Sequence, residues 1–169
     1  MKFYAGIGSR ETPSEICGIM KALATKLEKD GWTLRSGGAD GADYAFSKGV
    51  EKEAEIYLPW SGFAINLQLT KVRHKYITVE NDSEAEDFLK FHPSPHRLSQ
   101  AGKKLMVRNF RQIIGKDAPN SKFVICWTKD GGASGGTGQA MRIARHYNIP
   151  VFNLKIGEDL KKMEKYLNK

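Results

Sequence analysis

Cysteine is scarce in this chain: two residues, Cys17 and Cys126, far apart and in apolar settings, accompany only four histidines among 169 residues. Buried free thiols are therefore expected rather than a disulfide, and no histidine–cysteine cluster has zinc spacing. No stretch approaches the roughly 18 consecutive apolar residues of a membrane-crossing helix. Met1-Lys2-Phe3-Tyr4 leads into strand-like sequence rather than a signal peptide's apolar region, so the expected location is cytoplasmic. There is no internal repeat and no low-complexity tract. Between Arg97 and Lys116 there is no acidic residue at all, although Lys103, Lys104, Arg108 and Arg111 fall there.

What the chain does have is positive charge and glycine. Its 27 basic residues outnumber 19 acidic ones, for a net charge of +8, which favours a phosphorylated or polyanionic partner. The length suits a single domain with a real core. Short apolar strands alternate with amphipathic helices, the pattern of an α/β protein whose parallel sheet is covered on both faces. Strands are expected at Lys2–Ile7, Trp32–Arg35, Ala54–Trp60, Phe123–Trp127 and Ile149–Leu154. The fourth is the most apolar and is expected at the sheet centre. Thr12-Pro13-Ser14-Glu15 reads as a capping box with Thr12 as N-cap, opening a helix that ends at Gly31. Further helices are expected over Asp40–Lys52, Arg97–Gly115, Gln139–Tyr147 and Glu158–Leu167.

Three glycine-rich turns follow strands. Gly6-Ile7-Gly8-Ser9-Arg10 offers a hydroxyl and a guanidinium suited to phosphate oxygens. Ser36-Gly37-Gly38-Ala39-Asp40-Gly41-Ala42-Asp43 and Gly131 to Gln139, containing Ser134-Gly135-Gly136-Thr137-Gly138, each run from a strand into a helix and so predict anion sites built from backbone N–H groups. Asp40 and Asp43 either complement a helix dipole or reach ribose hydroxyls. Trp60, just past a strand, either stacks on a base or packs over the sheet edge. A phosphate-facing role is expected for Arg108 or Arg111, given the missing acids. Residues 61–96 are expected to form an insertion over the sheet or a lid. Within them lie the basic cluster Lys71-Val72-Arg73-His74-Lys75, a possible strand at Tyr76–Val79, a short acidic helix at Ser83–Phe91, and His92 and His96 as turn residues.

These motifs, taken in order with Val107-Arg108-Asn109-Phe110-Arg111-Gln112-Ile113-Ile114-Gly115, resemble those of the DprA/Smf DNA-processing family within the SLOG superfamily. The likeness spans Phe3 to about Leu154, with 61–96 unmatched. It implies a Rossmann-like, doubly wound, mostly parallel sheet with helices on both faces, a pocket at the strands' C-terminal ends, and phosphate contact by Arg10. DprA relatives bind single-stranded DNA and commonly dimerise, which implies a homodimer or higher homo-oligomer here. Other branches bind ADP-ribose-like signals or cleave a base from a nucleoside monophosphate. Phe110 interrupts the family's arginine–asparagine–arginine run, and the flanking domains often seen in DprA proteins are missing. Alignment with the cytokinin-activating LOG branch puts Ser134, Gln139 and Arg142 where that branch has proline, threonine and the assisting glutamate. Replacing that carboxylate with Arg142 favours anion binding over hydrolysis.

The resulting expectation is a non-catalytic protein that binds or sequesters a phosphorylated nucleotide or ADP-ribose-like molecule, as phage proteins of related folds do. Its site would comprise Gly8, Ser9, Arg10, Ser36, Gly37, Gly38, Asp40, Asp43, Trp60, Arg108, Ser134, Gly135, Gly136, Thr137, Gly138 and Arg142, with no cofactor and no metal. The alternative is a single-stranded DNA binder. A glycosidic-bond hydrolase using Asp40, Asp43 or Glu80 ranks third.

Overall fold

The computed structural model describes residues 1–63, 72 and 74–169. The chain runs β1 (Lys2–Gly6), α1 (Ser14–Lys29), β2 (Trp32–Ser36), α2 (Ala42–Lys48), β3 (Glu55–Leu58), β4 (Lys75–Thr78), α3 (Ser83–Glu86), α4 (Gln100–Ile113), β5 (Val124–Cys126), α5 (Gly135–His146), β6 (Val151–Asn153) and α6 (Gly157–Leu167). The strands form one six-stranded sheet in the order β4-β3-β2-β1-β5-β6. Every pairing is parallel. This is a Rossmann-like α/β fold.

Alternation along each strand sends successive side chains to opposite faces. Tyr4, Leu34, Ile56 and Ile125 bury against α1 and α2 on one face, joined by Leu160 and Met163 of α6. Ala5, Ile7, Tyr57, Val124 and Cys126 bury against α4 and α5 on the other, with Val107, Phe110, Met141 and Ile143. After β1 the chain winds outward through β2, β3 and β4, then crosses on α4 to β5 on the far side of β1. The switch point between β1 and β5 opens a crevice at their C-terminal ends, where open α/β sheets take ligands.

Several boundaries differ from the sequence expectation. The capping box does not form: Pro13 is the N-cap of α1 without a side-chain cap bond. Thr12 instead donates its hydroxyl to the Ser9 carbonyl at 2.6 Å, fastening the turn after β1. α2 ends at Lys48, and its C-cap Gly49 passes close to α1, where a Cβ would meet the Lys21 carbonyl oxygen at 2.3 Å. α4 starts at Gln100, capped by the Ser99 hydroxyl accepting from the Gly102 N–H at 3.0 Å. α5 begins at Gly135, earlier than periodicity predicts, because glycines carry no apolar signal. β5 is fully buried but sits one strand from the edge, with β1 and β2 central.

Within the described part of 61–96, one strand extends the sheet. β4 adds the edge strand beside β3, and Val79, Ala85, Phe88 and Phe91 pack into the α4–α5 core. His92 is a turn residue as expected, its Nδ1 accepting from the Ser94 N–H at 3.0 Å. Lys71 and Arg73 of the basic cluster lie outside the described residues. Both cysteines are free thiols, and burial pushes Cys126 up to about 12.

One buried charge sits on the central strand β2. Arg35, wholly inaccessible, donates from Nε to Glu55 at 2.8 Å and from Nη1 to the Pro119 carbonyl at 2.6 Å. Its guanidinium lies 3.8 Å from the Phe3 ring centroid. Removing it strands the Glu55 carboxylate, so Arg35→Ala is expected to lower the unfolding free energy by about 3 kcal/mol or more, read as the urea midpoint.

Candidate phosphate-binding site

A cavity of about 640 Å³ occupies the switch-point crevice. Gly8, Ser9 and Arg10 enter it from the turn after β1, Ala39 from the turn after β2, Asp43 from the first turn of α2, and Arg108, Asn109 and Gln112 from α4. Ser134, Gly135, Gly136 and Thr137 line it at the start of α5. The first turn of a helix has N–H groups with no intrahelical acceptor, so α5 presents a positive terminus to this space.

Two adjacent residues of α4 tie the glycine turns together. Arg108 donates from Nη1 to the Gly37 carbonyl at 3.3 Å. Asn109 donates from Nδ2 to the Gly136 carbonyl at 2.7 Å. Between them, Arg108 Nε and Nη2 donate to Asn109 Oδ1 at 3.3 and 3.2 Å. The β1 turn is held equally closely, with Ser9 N–H donating to the Trp127 carbonyl at 3.2 Å and the Ser9 hydroxyl accepting from the Glu11 N–H at 3.0 Å. Gly41, at φ 77°, permits this approach: a Cβ there would lie 2.7 Å from the carbonyl oxygens of both Ser9 and Arg10.

The turn after β2 is not an open anion cradle. Asp43, 3 % exposed, accepts from the Ala39 N–H at 3.2 Å and also from the Gly8 N–H. The chain thus supplies its own anion to that turn. Burial raises the Asp43 carboxyl to about 6, against the opposing pull of Arg108, the two N–H donors and Arg10. Burial likewise lowers Arg108, while Asp43 favours its charged form. The two charges crowd one bare Cα: a Cβ on Gly37 would lie 2.8 Å from Asp43 Oδ2, 3.2 Å from Arg108 Nε and 2.1 Å from Gln112 Nε2.

Of the residues expected at the site, Gly8, Ser9, Arg10, Asp43, Arg108, Ser134, Gly135, Gly136 and Thr137 meet around the cavity. Gly37 lies behind it as an acceptor for Arg108, with Gly38 buried at φ 73° beside it. The others are placed differently. Ser36 donates its hydroxyl to the Gly6 carbonyl at 2.6 Å, pinning β2 to β1. Asp40 is exposed and outside the lining. Trp60 packs edge-on against Phe63, with ring centroids 5.3 Å apart. Gly138 is buried against Ala133 within α5, where a Cβ would meet the Ala133 carbonyl carbon at 2.3 Å. Arg142 is consumed structurally, donating to the Phe91 and Ala133 carbonyls at 2.8 and 3.0 Å and to Gln139 Oε1 at 3.0 Å. Arg111 pairs bidentately with Asp82 at 2.6 and 2.8 Å, which leaves Arg108 as the helix's cavity-facing cation.

Three contributors escaped the sequence reading. Asn109 had a visible signal, lying beside Arg108 on the same helix turn. Gln112, one turn further along α4, had only its spacing. Phe63 had none: Arg10 and Arg108 approach its ring centroid at 5.8 and 5.3 Å, so one aromatic ring draws both guanidiniums together.

The Asp43 carboxyl is expected to titrate near pH 6 in a carbon-detected NMR titration, above ordinary aspartates. Arg108→Met removes a neighbouring charge that favours ionisation, so it should move the midpoint higher still. The ionised form is disfavoured by folding, so Asp43's contribution to stability falls as pH rises from the ordinary aspartate range through about 6.

No family model and no curated protein matches the chain. Among solved structures it is similar to DNA processing protein A of Helicobacter pylori, described for its single-stranded DNA binding mode, with a TM-score of 0.60 and 18 % identity over 99 % of this chain and 79 % of that one. The polypeptide therefore has a DprA-like fold.

Proposed function

We propose that this protein binds single-stranded nucleic acid, seating a backbone phosphate between the α5 N-terminus and the guanidiniums of Arg10 and Arg108. The observation that carries the reading is convergence: glycine turns far apart in sequence, two arginines and a helix N-terminus border one cavity at the switch point. The net charge of +8 suits a polyanion, and the H. pylori protein with the same fold is described as binding single-stranded DNA. On this reading the chain is a compact SLOG-type protein, acting in the cytoplasm and as a homo-oligomer. It works by binding without turnover, since Arg142 stands where the LOG branch has its glutamate.

A nucleotide-derived small molecule, ADP-ribose-like in character, is the second reading. It is favoured by the cavity's volume of about 640 Å³, which falls in the range of small-ligand pockets.

Fluorescence anisotropy with a labelled thymidine oligonucleotide tests the first reading. Affinity should fall linearly in log–log form with salt, with a slope of about −0.7 for each phosphate neutralised. Arg10→Ala and Arg108→Met should each weaken binding about tenfold and make the slope shallower. No binding at low salt, or full affinity in both variants, would overturn it. Calorimetry with ADP-ribose in the same buffer reads the second.

A further inference from the structure

We propose that Gln112 and Asp43 together hold a ribose hydroxyl, so that this cavity accepts a ribonucleotide strand in preference to a deoxyribonucleotide one. The inference rests on the nucleic-acid reading and names the sugar that the same site selects.

Behind it stands a polar side chain with nothing to bind. Gln112 is 1 % exposed and lines the cavity. Its carboxamide makes no hydrogen bond among the described residues; the Ser121 hydroxyl donates to its backbone carbonyl instead, at 2.7 Å. That carboxamide carries two donor hydrogens and an oxygen with two lone pairs. Its neighbours on α4 are committed, Asn109 using both amide atoms on Gly136 and Arg108. A buried amide without a partner is costly, and this one opens onto space that a ligand can fill.

Position along α4 selects the part of a nucleotide that reaches it. The helix returns from the C-terminal ends of the strands to the start of β5, so Gln112 lies one turn deeper than Arg108, about 6 Å along the axis. With a phosphate seated at Arg10, Arg108 and α5, the adjoining sugar extends to that depth. A base fits less well: no aromatic ring lines the cavity among the described residues, and bases taken into protein pockets are commonly stacked on one.

Asp43 completes the pair. A Cβ on Gly37 would lie 2.1 Å from Gln112 Nε2 and 2.8 Å from Asp43 Oδ2, so an amide donor and a carboxylate acceptor flank one backbone atom. The carboxylate accepts from the Ala39 and Gly8 N–H groups and keeps lone pairs beyond those two bonds. One hydroxyl can donate to Asp43 and accept from Gln112 at once. Inside a strand the sugar's free hydroxyl is the 2′ one, which deoxyribose lacks. A deoxyribonucleotide strand still meets the two arginines and binds, but it leaves the amide and the carboxylate unpaired.

Calorimetry at low salt with oligouridylate and oligodeoxyuridylate of equal length, which differ only in the 2′-hydroxyl, makes the test. The native protein should bind the ribonucleotide strand about tenfold tighter. In Gln112→Met, which keeps the side chain's length, the ratio should fall toward one, the ribonucleotide strand losing more than the other. Equal or tighter binding of the deoxyribonucleotide strand by the native protein would overturn the proposal, as would an undiminished preference in a folded Gln112→Met protein. Should that variant not fold, the side-chain N–H signals of Gln112 in the native protein are followed by NMR instead. The ribonucleotide strand should shift them more than the deoxyribonucleotide strand does, and equal shifts would overturn the proposal. If both strands bind equally, this inference alone falls; if neither binds, the nucleic-acid reading fails and takes the inference with it.

Discussion

The site depends on the Arg108–Asn109 pair. Two neighbouring side chains on one helix reach glycine turns that lie almost a hundred residues apart in sequence, Arg108 to the Gly37 carbonyl and Asn109 to the Gly136 carbonyl. Each turn alone is a strand-to-helix connection of modest specificity. Joined through α4 they border a single concave space, and the hydrogen bonds between Arg108 and Asn109 fix the two reaches relative to each other. Such coupling confers pre-organisation, because the cavity's shape is set by backbone carbonyls held from a rigid helix rather than by loop side chains alone.

Buried charge is the recurrent cost of this design and is met locally each time. Arg35 is answered by Glu55 and a carbonyl, and Arg111 by Asp82. Arg142 is answered by two carbonyls and an amide. These three arginines are structural, each held by partners within the fold, although Arg35 Nη2 is left buried without an acceptor. Arg108 differs. Its partners are a carbonyl at 3.3 Å and an amide oxygen, with a carboxylate nearby, and it lines the cavity. Among the arginines, then, Arg35, Arg111 and Arg142 are spent on the fold, while Arg10 and Arg108 border the cavity.

Much of the architecture was legible in the order of the residues. Apolar strands of about five residues, amphipathic helices and glycine-rich turns are local patterns, fixed by backbone sterics and by burial on both sheet faces, and they led directly to a parallel α/β sheet. The turns expected to hold the anion together were Ser36–Asp43 and Ser134–Gly138; Arg108 and Asn109 do link Gly37 to Gly136, but it is Gly8–Arg10, rather than Gly37 and Gly38, that borders the cavity beside Ser134–Thr137. Less legible was the internal role of Asp43. An acid early in a helix carries one signature whether it meets a ligand, a dipole or its own loop, and only the closeness of Gly8 and Ala39 separates these.

Sequence alone determined the elements, their parallel arrangement and the abundance of donors at strand ends, because these follow from side-chain periodicity and from glycine's freedom at turns. Tertiary structure decided which charges remain available. Whether an arginine or an aspartate faces a cavity or a carbonyl depends on what the fold packs beside it, as with Arg111 against Asp82 and Asp43 against the Ala39 N–H. Those partners come from elements whose spacing along the chain carries no record of their meeting, and burial then converts that meeting into a fixed pattern of charge.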